Sequence, residues 1–424
     1  MSEDRKDTIL KRKFREIVKY AYSNCALYEK YDINVDLIKN MDELPVIKKE
    51  DIMKDWENGI SRKYLMQYLQ GKLMSSWTSG STGKCLRVLW TKEQYNESLL
   101  PLWMLRYKFY QIKPTDRFCY LYNTPNAEQK QQGDVIYEVI QDSMGFYKNN
   151  LTEEKICSIV EMMREYKPRW LMLQPSTAML FAKTMEKLNL QKIALVEYLE
   201  LSGEMLLEEN RTYLKKIFNC TIANQYGCNE LNSIAYECPE GNLHCLESNV
   251  FVEITQGGRK IEDGREGEIC LTSLNNMAMP LVRYAIGDYG ILQRHHNCKC
   301  GLRSPVLQLT SGRVSTYIAH KDGTISAPYI FIHAVRAITE RLGDVIIQFH
   351  VIQKEYDEFD VVFVLSEEAY ENFEVLEVII EDLFLNSIAE DRLKECEFCF
   401  MYMNQILSTK NYEKFSYFES KLIN

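Results

Sequence analysis

The sequence predicts a layered α/β body with a β-rich subdomain, followed by a smaller α+β domain. Three observations carry this expectation. From Ser76 onward, short apolar runs such as RFCYLY alternate with helical stretches such as EEKICSIVEMMREY, the pattern of strands interleaved with helices. Residues 266–292 read differently, because GEICLTSL and GILQ are strand-like runs joined by turns. Beyond Gly312 the composition changes: VIIQFHVI and FDVVFVL are β-branched and aromatic, while YENFEVLEVIIEDLFLNSI is helical. The expected division is therefore 1–312 and 313–424.

The elements follow in order. Phe14, Ile17, Val18 and Ala21 recur at three- and four-residue spacing with Arg15, Glu16 and Lys19 opposite them, which predicts an opening helix. LPVIKKEDI interrupts it, and Asp51 is placed to begin another helix. KLMSSW and LRVLW flank a loop, and LRVLW is strand-like. No internal repeat and no low-complexity linker is visible.

At 424 residues the chain is long enough for two or three domains and a full core. Hydrophobic residues at 46% and charged residues at 26% exclude a disordered or collagen-like chain. A formal charge of -9 disfavours broad binding to nucleic acid or to anionic membranes, but leaves small ligands open. The charged start MSEDRKDTILKRKF has no apolar leader segment, and no run approaches the roughly 20 apolar residues of a membrane span. A cytoplasmic address is expected, where 13 scattered cysteines read as core thiols or metal ligands.

Four motifs carry nucleotide chemistry. Thr78-Ser79-Gly80-Ser81-Thr82-Gly83-Lys84 offers close backbone N–H groups, hydroxyl donors and one ammonium to phosphate oxygens. It is not a Walker A loop: only two residues separate its glycines, and Cys85 follows the lysine. The bland alternative is a hydroxyl-rich hairpin turn. In Gln225-Tyr226-Gly227-Cys228-Asn229-Glu230, preceded by Ser202-Gly203-Glu204, a tyrosine can stack on a purine and a carboxylate can hold Mg²⁺; the alternative is a strand end with a solvated acid. Arg283-Tyr284-Ala285-Ile286-Gly287-Asp288 reads as a turn presenting an aspartate to ribose hydroxyls, or as a salt-bridged turn. Ser311-Gly312-Arg313 sits at the expected domain change.

In this order and at these separations the motifs resemble the adenylate-forming superfamily, in the branch of phenylacetate-CoA ligase and related capsule-biosynthesis adenylating proteins. Tyr28 and Leu44-Pro45-Val46-Ile47-Lys48-Lys49-Glu50-Asp51 extend the likeness over nearly the whole chain. The resemblance implies that residues 78–84 close over the β- and γ-phosphates of ATP. It implies that Ser202, Gly203, Glu204, Tyr226 and Gly227 sandwich adenine, that Glu230 binds Mg²⁺, and that Asp288 with Arg313 holds the ribose. It also implies that residues 313–424 form a mobile lid carrying a catalytic lysine. KFSYF favours Lys414 for this role, although Glu413 stands where the family has glycine and Lys410 is a rival. An ammonium at that place would stabilise charge growing on the α-phosphate oxygens in the transition state.

A fifth constellation is Cys238, His244, Cys298 and Cys300, a Cys3His set able to complete a structural zinc site. Zinc-containing members of the same branch carry a similar arrangement. Pro239, Glu240 and Gly241 would form the turn between the first two ligands; buried free thiols are the alternative, and His295, His296 and Cys245 are substitute ligands.

The expected activity is that of an acid-thiol ligase. A small-molecule aryl or acyl carboxylic acid is activated by ATP as acyl-AMP with release of pyrophosphate, then passed to an acceptor, most readily coenzyme A. A phosphopantetheine carrier protein, an amine acceptor and a non-catalytic adenylate-binding protein are the alternatives, and the branch allows a homodimer. Two departures stand against the family pattern: Asn229 replaces the usual threonine, and Val314, Ser315 and Thr316 replace the usual hinge. The glycine-rich substrate segment is not recognisable in Leu121-Tyr122-Asn123-Thr124-Pro125-Asn126. A Walker-like NTPase would need a helix directly after Lys84, and a nucleic-acid-binding zinc knuckle would need basic clusters beyond Arg294, Lys299 and Arg303.

Overall fold

A computed structural model describes residues 3–38, 40–77, 86–122, 129–148, 151–190, 195–206, 208–311, 318–322, 325–326, 328–343, 345–371, 373–388, 392–403 and 417–422. Thr78 through Lys84, Arg313, Ser315, Lys410 and Lys414, to which the sequence assigns roles, lie outside the described residues. Contacts divide the chain into two compact units, one of Met1–Thr78, Leu86–Pro114 and Ala223–Gly312, the other of Ser79–Cys85, Thr115–Ile222 and Arg313–Asn424.

In the first unit the opening helix spans Glu3–Asn24, and Phe14, Ile17, Val18 and Ala21 are all buried, as their spacing predicts. A later helix spans Lys49–Lys54. Asp51 lies inside its first turn, where its carboxylate accepts from the Lys48 N–H at 2.9 Å, so it caps the helix start from its third position instead of beginning the helix. Strands Met74–Trp77 and Arg87–Trp90 pair antiparallel. The segment after Lys84 therefore enters a strand and not the helix that a Walker loop demands.

The same unit carries an antiparallel run of strands in the order Arg259–Lys260, Val250–Gln256, Glu266–Ser273, Tyr284–Gln293, Val306–Ser311, Leu243–Cys245, Asn232–Glu237 and Thr221–Cys228. This is the β-rich region that GEICLTSL and GILQ announced. Its buried residues, among them Ile269, Leu271, Tyr284 and Leu292, join the opening helix in one apolar cluster. Apolar burial of this kind is worth about 25 cal/mol per Å², and it fixes which face of each strand points inward.

The second unit holds four parallel strands in the order Tyr198–Ser202, Trp170–Leu173, Phe118–Tyr122 and Ser143–Tyr147, continued antiparallel by Val135–Ile140 and Lys130–Gln132. Helices Glu153–Tyr166 and Pro175–Lys187 bury Ile156, Ile159, Met163, Phe181 and Met185 with these strands. Parallel strands connected through helices leave their carboxyl ends at one edge, the usual place for ligands. In residues 313–424, strands Glu397–Met403, Glu358–Leu365, Ile346–Glu355 and Phe418–Ser420 form a mixed sheet. Helices Tyr329–Leu342 and Phe373–Ile388 share its apolar core. Among the described residues, no helix is long and apolar enough to cross a membrane.

Candidate nucleotide site and metal cluster

The first-unit residues singled out in the sequence converge through two hairpins. Tyr226 and Gly227 lie near the end of strand Thr221–Cys228, and Glu230 lies in the turn leading to Asn232–Glu237. Gly227 is required by backbone and not by an approaching ring: a Cβ there would stand 2.6 Å from the Asn232 carbonyl oxygen. Asp288 belongs to strand Tyr284–Gln293 and not to a turn. The strand register shifts between Glu268 and Cys270, and Gly287 takes a φ of 81°. A bulge thus redirects the strand beside the aspartate.

The Tyr226 hydroxyl donates to Asp288 Oδ2 at 2.9 Å, and the Tyr284 hydroxyl donates to Glu230 Oε1 at 3.0 Å. Both carboxylates are buried. Burial and the neighbouring Glu230 push the Tyr284 phenol well above its ordinary pKa, so it remains a donor. The chemistry of Glu230, a buried carboxylate fixed by one neutral donor, suits a hard cation such as Mg²⁺. Sequence spacing assigns Tyr284 no role; the fold shows that its hydroxyl positions Glu230.

Arg283 supports this strand from beneath. It is fully buried, donates through Nε to Glu253 Oε2 at 3.2 Å, and reaches the carbonyl oxygens of Leu44 at 2.5 Å and Gly258 at 3.1 Å. The salt-bridged alternative for this arginine is therefore what the structure contains. Ile47 N–H donates to the Arg283 carbonyl and the Ile47 carbonyl accepts from Ala285 N–H, each at 2.9 Å. Tyr28 donates to the Pro280 carbonyl at 2.8 Å and accepts from Val282 N–H at 3.0 Å. The early Tyr28 and LPVI segments thus hold the entry to the Asp288 strand.

In the second unit, Ser202-Gly203-Glu204 leaves the carboxyl end of strand Tyr198–Ser202. Gly203 adopts φ 87°, in the left-handed region that favours glycine. Both Glu204 oxygens are held at the start of helix Pro175–Lys187, accepting from Ser176 N–H at 2.8 Å and Ser176 Oγ at 2.9 Å. A carboxylate at a helix amino end is favoured by the helix dipole.

The cysteine–histidine set also assembles. One ligand atom from each of Cys238, His244, Cys298 and Cys300 lies within 4.8 Å of all the others. Cys238 Sγ stands 3.7 Å from Cys298 Sγ, and Cys300 Sγ 3.3 Å from His244 Nε2. Tetrahedral zinc with ligands at about 2.0–2.3 Å needs neighbouring donors roughly 3.5–3.8 Å apart; the Cys238–Cys298 separation matches this, the other donors lie close to it, and the donor set fits. His244 Nδ1 lies 3.1 Å from the Ser304 carbonyl, a contact that leaves Nε2 facing the thiols as a ligand. Gly241 N–H donates to the Cys238 carbonyl at 2.9 Å and Gly301 N–H to that of Cys298 at 3.1 Å, so Cys238 opens one tight turn and Cys298 with Cys300 sits on another, while His244 lies on strand Leu243–Cys245.

No family model matches the chain. It is 22% identical to protein CapK of Staphylococcus aureus over 378 residues, 84% of this chain and 77% of that protein. It is 28% identical to phenylacetate-coenzyme A ligase of Thermus thermophilus over 149 residues, 34% of this chain and 33% of the ligase. Among solved structures, 2-hydroxyisobutyryl-CoA ligase with 2-HIB-AMP and CoA in its thioesterification state superposes with a TM-score of 0.65 at 13% identity, covering 100% of this chain and 91% of that one. An open conformation of that ligase with the same ligands gives 0.60 at 14% identity, over 99% of this chain and 92% of that one.

Proposed function

We propose that this chain, a member of the adenylate-forming superfamily, is an acid-thiol ligase that converts a carboxylic acid and ATP to an acyl-adenylate and pyrophosphate, then transfers the acyl group to coenzyme A. The observation that supports it most is the pairing of Tyr226 with Asp288 and of Tyr284 with Glu230 in one set of hairpins. This brings motifs far apart in sequence into side-chain contact, although three strands separate Thr221–Cys228 from Tyr284–Gln293 in the sheet order.

In the first half-reaction a carboxylate oxygen attacks the α-phosphorus and the bond to pyrophosphate breaks. No protein nucleophile is needed, so positioning and charge stabilisation supply the rate. Asp288, oriented by Tyr226, accepts from ribose hydroxyls while Arg313 donates to their oxygens, and Ser202 to Glu204 with Tyr226 and Gly227 flank adenine. Residues 78–84 steer the leaving pyrophosphate, and Lys414 meets the growing charge. Glu230 would hold Mg²⁺, which neutralises phosphate charge when bound. In the second half-reaction residues 313–424 move about Arg313, withdrawing Lys414 and admitting the thiol, whose sulfur attacks the acyl carbon and expels AMP. Cys238, His244, Cys298 and Cys300 would hold a structural zinc ion that cross-links two hairpin turns. A soluble, cytoplasmic setting accords with this small-molecule chemistry.

The test is mass spectrometry of reactions containing ATP, Mg²⁺ and a panel of aryl and aliphatic acids, with and without coenzyme A. An acyl-AMP without coenzyme A and a thioester with it are expected for at least one acid. Acyl-AMP whose thioester forms only with a phosphopantetheine carrier or an amine product would redirect the second step.

A further inference from the structure

At the carboxyl edge of the parallel strands lies a cation that the adenylation chemistry does not use. Lys148 follows strand Ser143–Tyr147, and its backbone N–H donates to the Tyr122 carbonyl at 2.8 Å, setting it beside the end of strand Phe118–Tyr122. Lys148 is partly buried, and burial is the main influence on its ammonium. Nζ donates to Gln174 Oε1 at 2.6 Å, a neutral acceptor. Gln174 caps helix Pro175–Lys187 by position, yet its side chain makes no capping bond. Glu204 attracts the ammonium at longer range, but both its oxygens are engaged by Ser176.

Enclosed charges are normally paired with an opposite charge, and among the described residues Lys148 has no ion-pair partner. Burial accordingly pulls its ammonium down to about 8. On the adjoining strand end, the buried Tyr122 hydroxyl also has no partner among the described residues. Gln174 also lies beside Gly203, in the segment assigned to the adenylate: a Cβ added at that glycine would lie 3.6 Å from Gln174 Nε2.

We propose that Lys148 is a specificity residue that receives a carboxylate of the substrate remote from the reacting one, so that the acid activated here is a dicarboxylic acid. The inference rests on the adenylation reading and deepens it. The reacting carboxylate is the poorer candidate for this ammonium: a fixed ion pair would stabilise it in the ground state and lower its nucleophilicity. A phosphate dianion is the poorer match in charge, since one ammonium offsets one negative charge and Glu204 opposes a second. A remote carboxylate gains a charge-assisted hydrogen bond and costs the reaction nothing.

The experiment is calorimetric titration of the full chain with succinate, glutarate, adipate and isophthalate, each compared with the monoacid of matched skeleton: butyrate, valerate, hexanoate and benzoate. At least one diacid is expected to bind about tenfold or more tighter than its monoacid, and Lys148→Met to reduce that ratio by about tenfold or more. Lys148→Gln, which keeps a polar end, is expected to do the same, and circular dichroism reports folding of both variants. A diacid-to-monoacid ratio near one in the native protein, or a ratio unchanged in the variants, overturns the proposal. Equal losses for both acids in the variants would place Lys148 on the reacting carboxylate and also overturn it. AMP release is measured on the same samples: Lys148-dependent diacid binding without acid-dependent AMP would uphold this inference while contradicting the adenylation reading.

Discussion

The Tyr284 hydroxyl donates to the Glu230 carboxylate across 54 residues of chain, at 3.0 Å. This bond ties the strand bearing Asp288 to the turn bearing Glu230, so in the proposed function the metal and ribose residues share one hairpin assembly.

Tyr284→Phe removes that donor while keeping the ring in the core. Acyl-AMP formation is expected to fall about tenfold and to require more Mg²⁺ for half-saturation, since a single hydrogen bond to a charged group is worth roughly 1.5–3 kcal/mol. Glu230→Gln is expected to cost more, about a hundredfold or beyond. Initial rates titrated with Mg²⁺ check both; an unchanged Mg²⁺ requirement in Tyr284→Phe contradicts the positioning role.

Arg283 and Glu253 form an ion pair in which both side chains are almost wholly buried. Arg283→Met leaves the Glu253 carboxylate without its compensating charge and is expected to destabilise the first unit by about 3–5 kcal/mol. Adding Glu253→Leu should recover much of the loss. Urea unfolding of the two variants measures this, and an additive double variant would show that the pair is not coupled.

Protein purified without chelator is expected to carry about one zinc ion per chain. Cys300→Ser should lower zinc content and reduce the thermal midpoint, while Cys245→Ser, which changes a cysteine outside the cluster, should retain the metal. Metal analysis beside thermal denaturation decides it; zinc-free native protein contradicts the assignment.

Lys148 makes a pH prediction with a definite sign. Its pKa falls from the usual 10.5 in the unfolded chain to about 8 in the folded one, chiefly through burial, so the folded state binds fewer protons between those values. The cost of its enclosed charge is fully present below about pH 8 and is relieved as pH rises toward 10.5. Native protein should therefore gain stability relative to Lys148→Met across that window. Paired thermal denaturation from pH 7 to 10.5 checks it, and a constant difference contradicts it.

Much of this was legible in sequence where chemistry is local. The opening helix, the strands of the β-rich region and the cysteine–histidine cluster each rest on residue types at short spacing. What sequence could not supply was register. Gly287 signals a turn and a bulge identically, and only pairing with strand Glu266–Ser273 shows that Asp288 stands on a bulged strand. Arg283 offers a salt bridge in sequence, but only the fold identifies Glu253 as its buried partner. Tyr284 with Glu230, and Lys148 with Gln174, are meetings of separate elements, set by how strands stack in the fold and not by any neighbour in the chain.

The central claim is tested most directly by exchange of labelled pyrophosphate into ATP in the presence of Mg²⁺ and an acid panel, with native protein beside Lys414→Ala and Lys410→Ala. Acid-dependent exchange in the native protein, strongly suppressed in Lys414→Ala and retained in Lys410→Ala, is the predicted result. Exchange with no acid in the panel would contradict it.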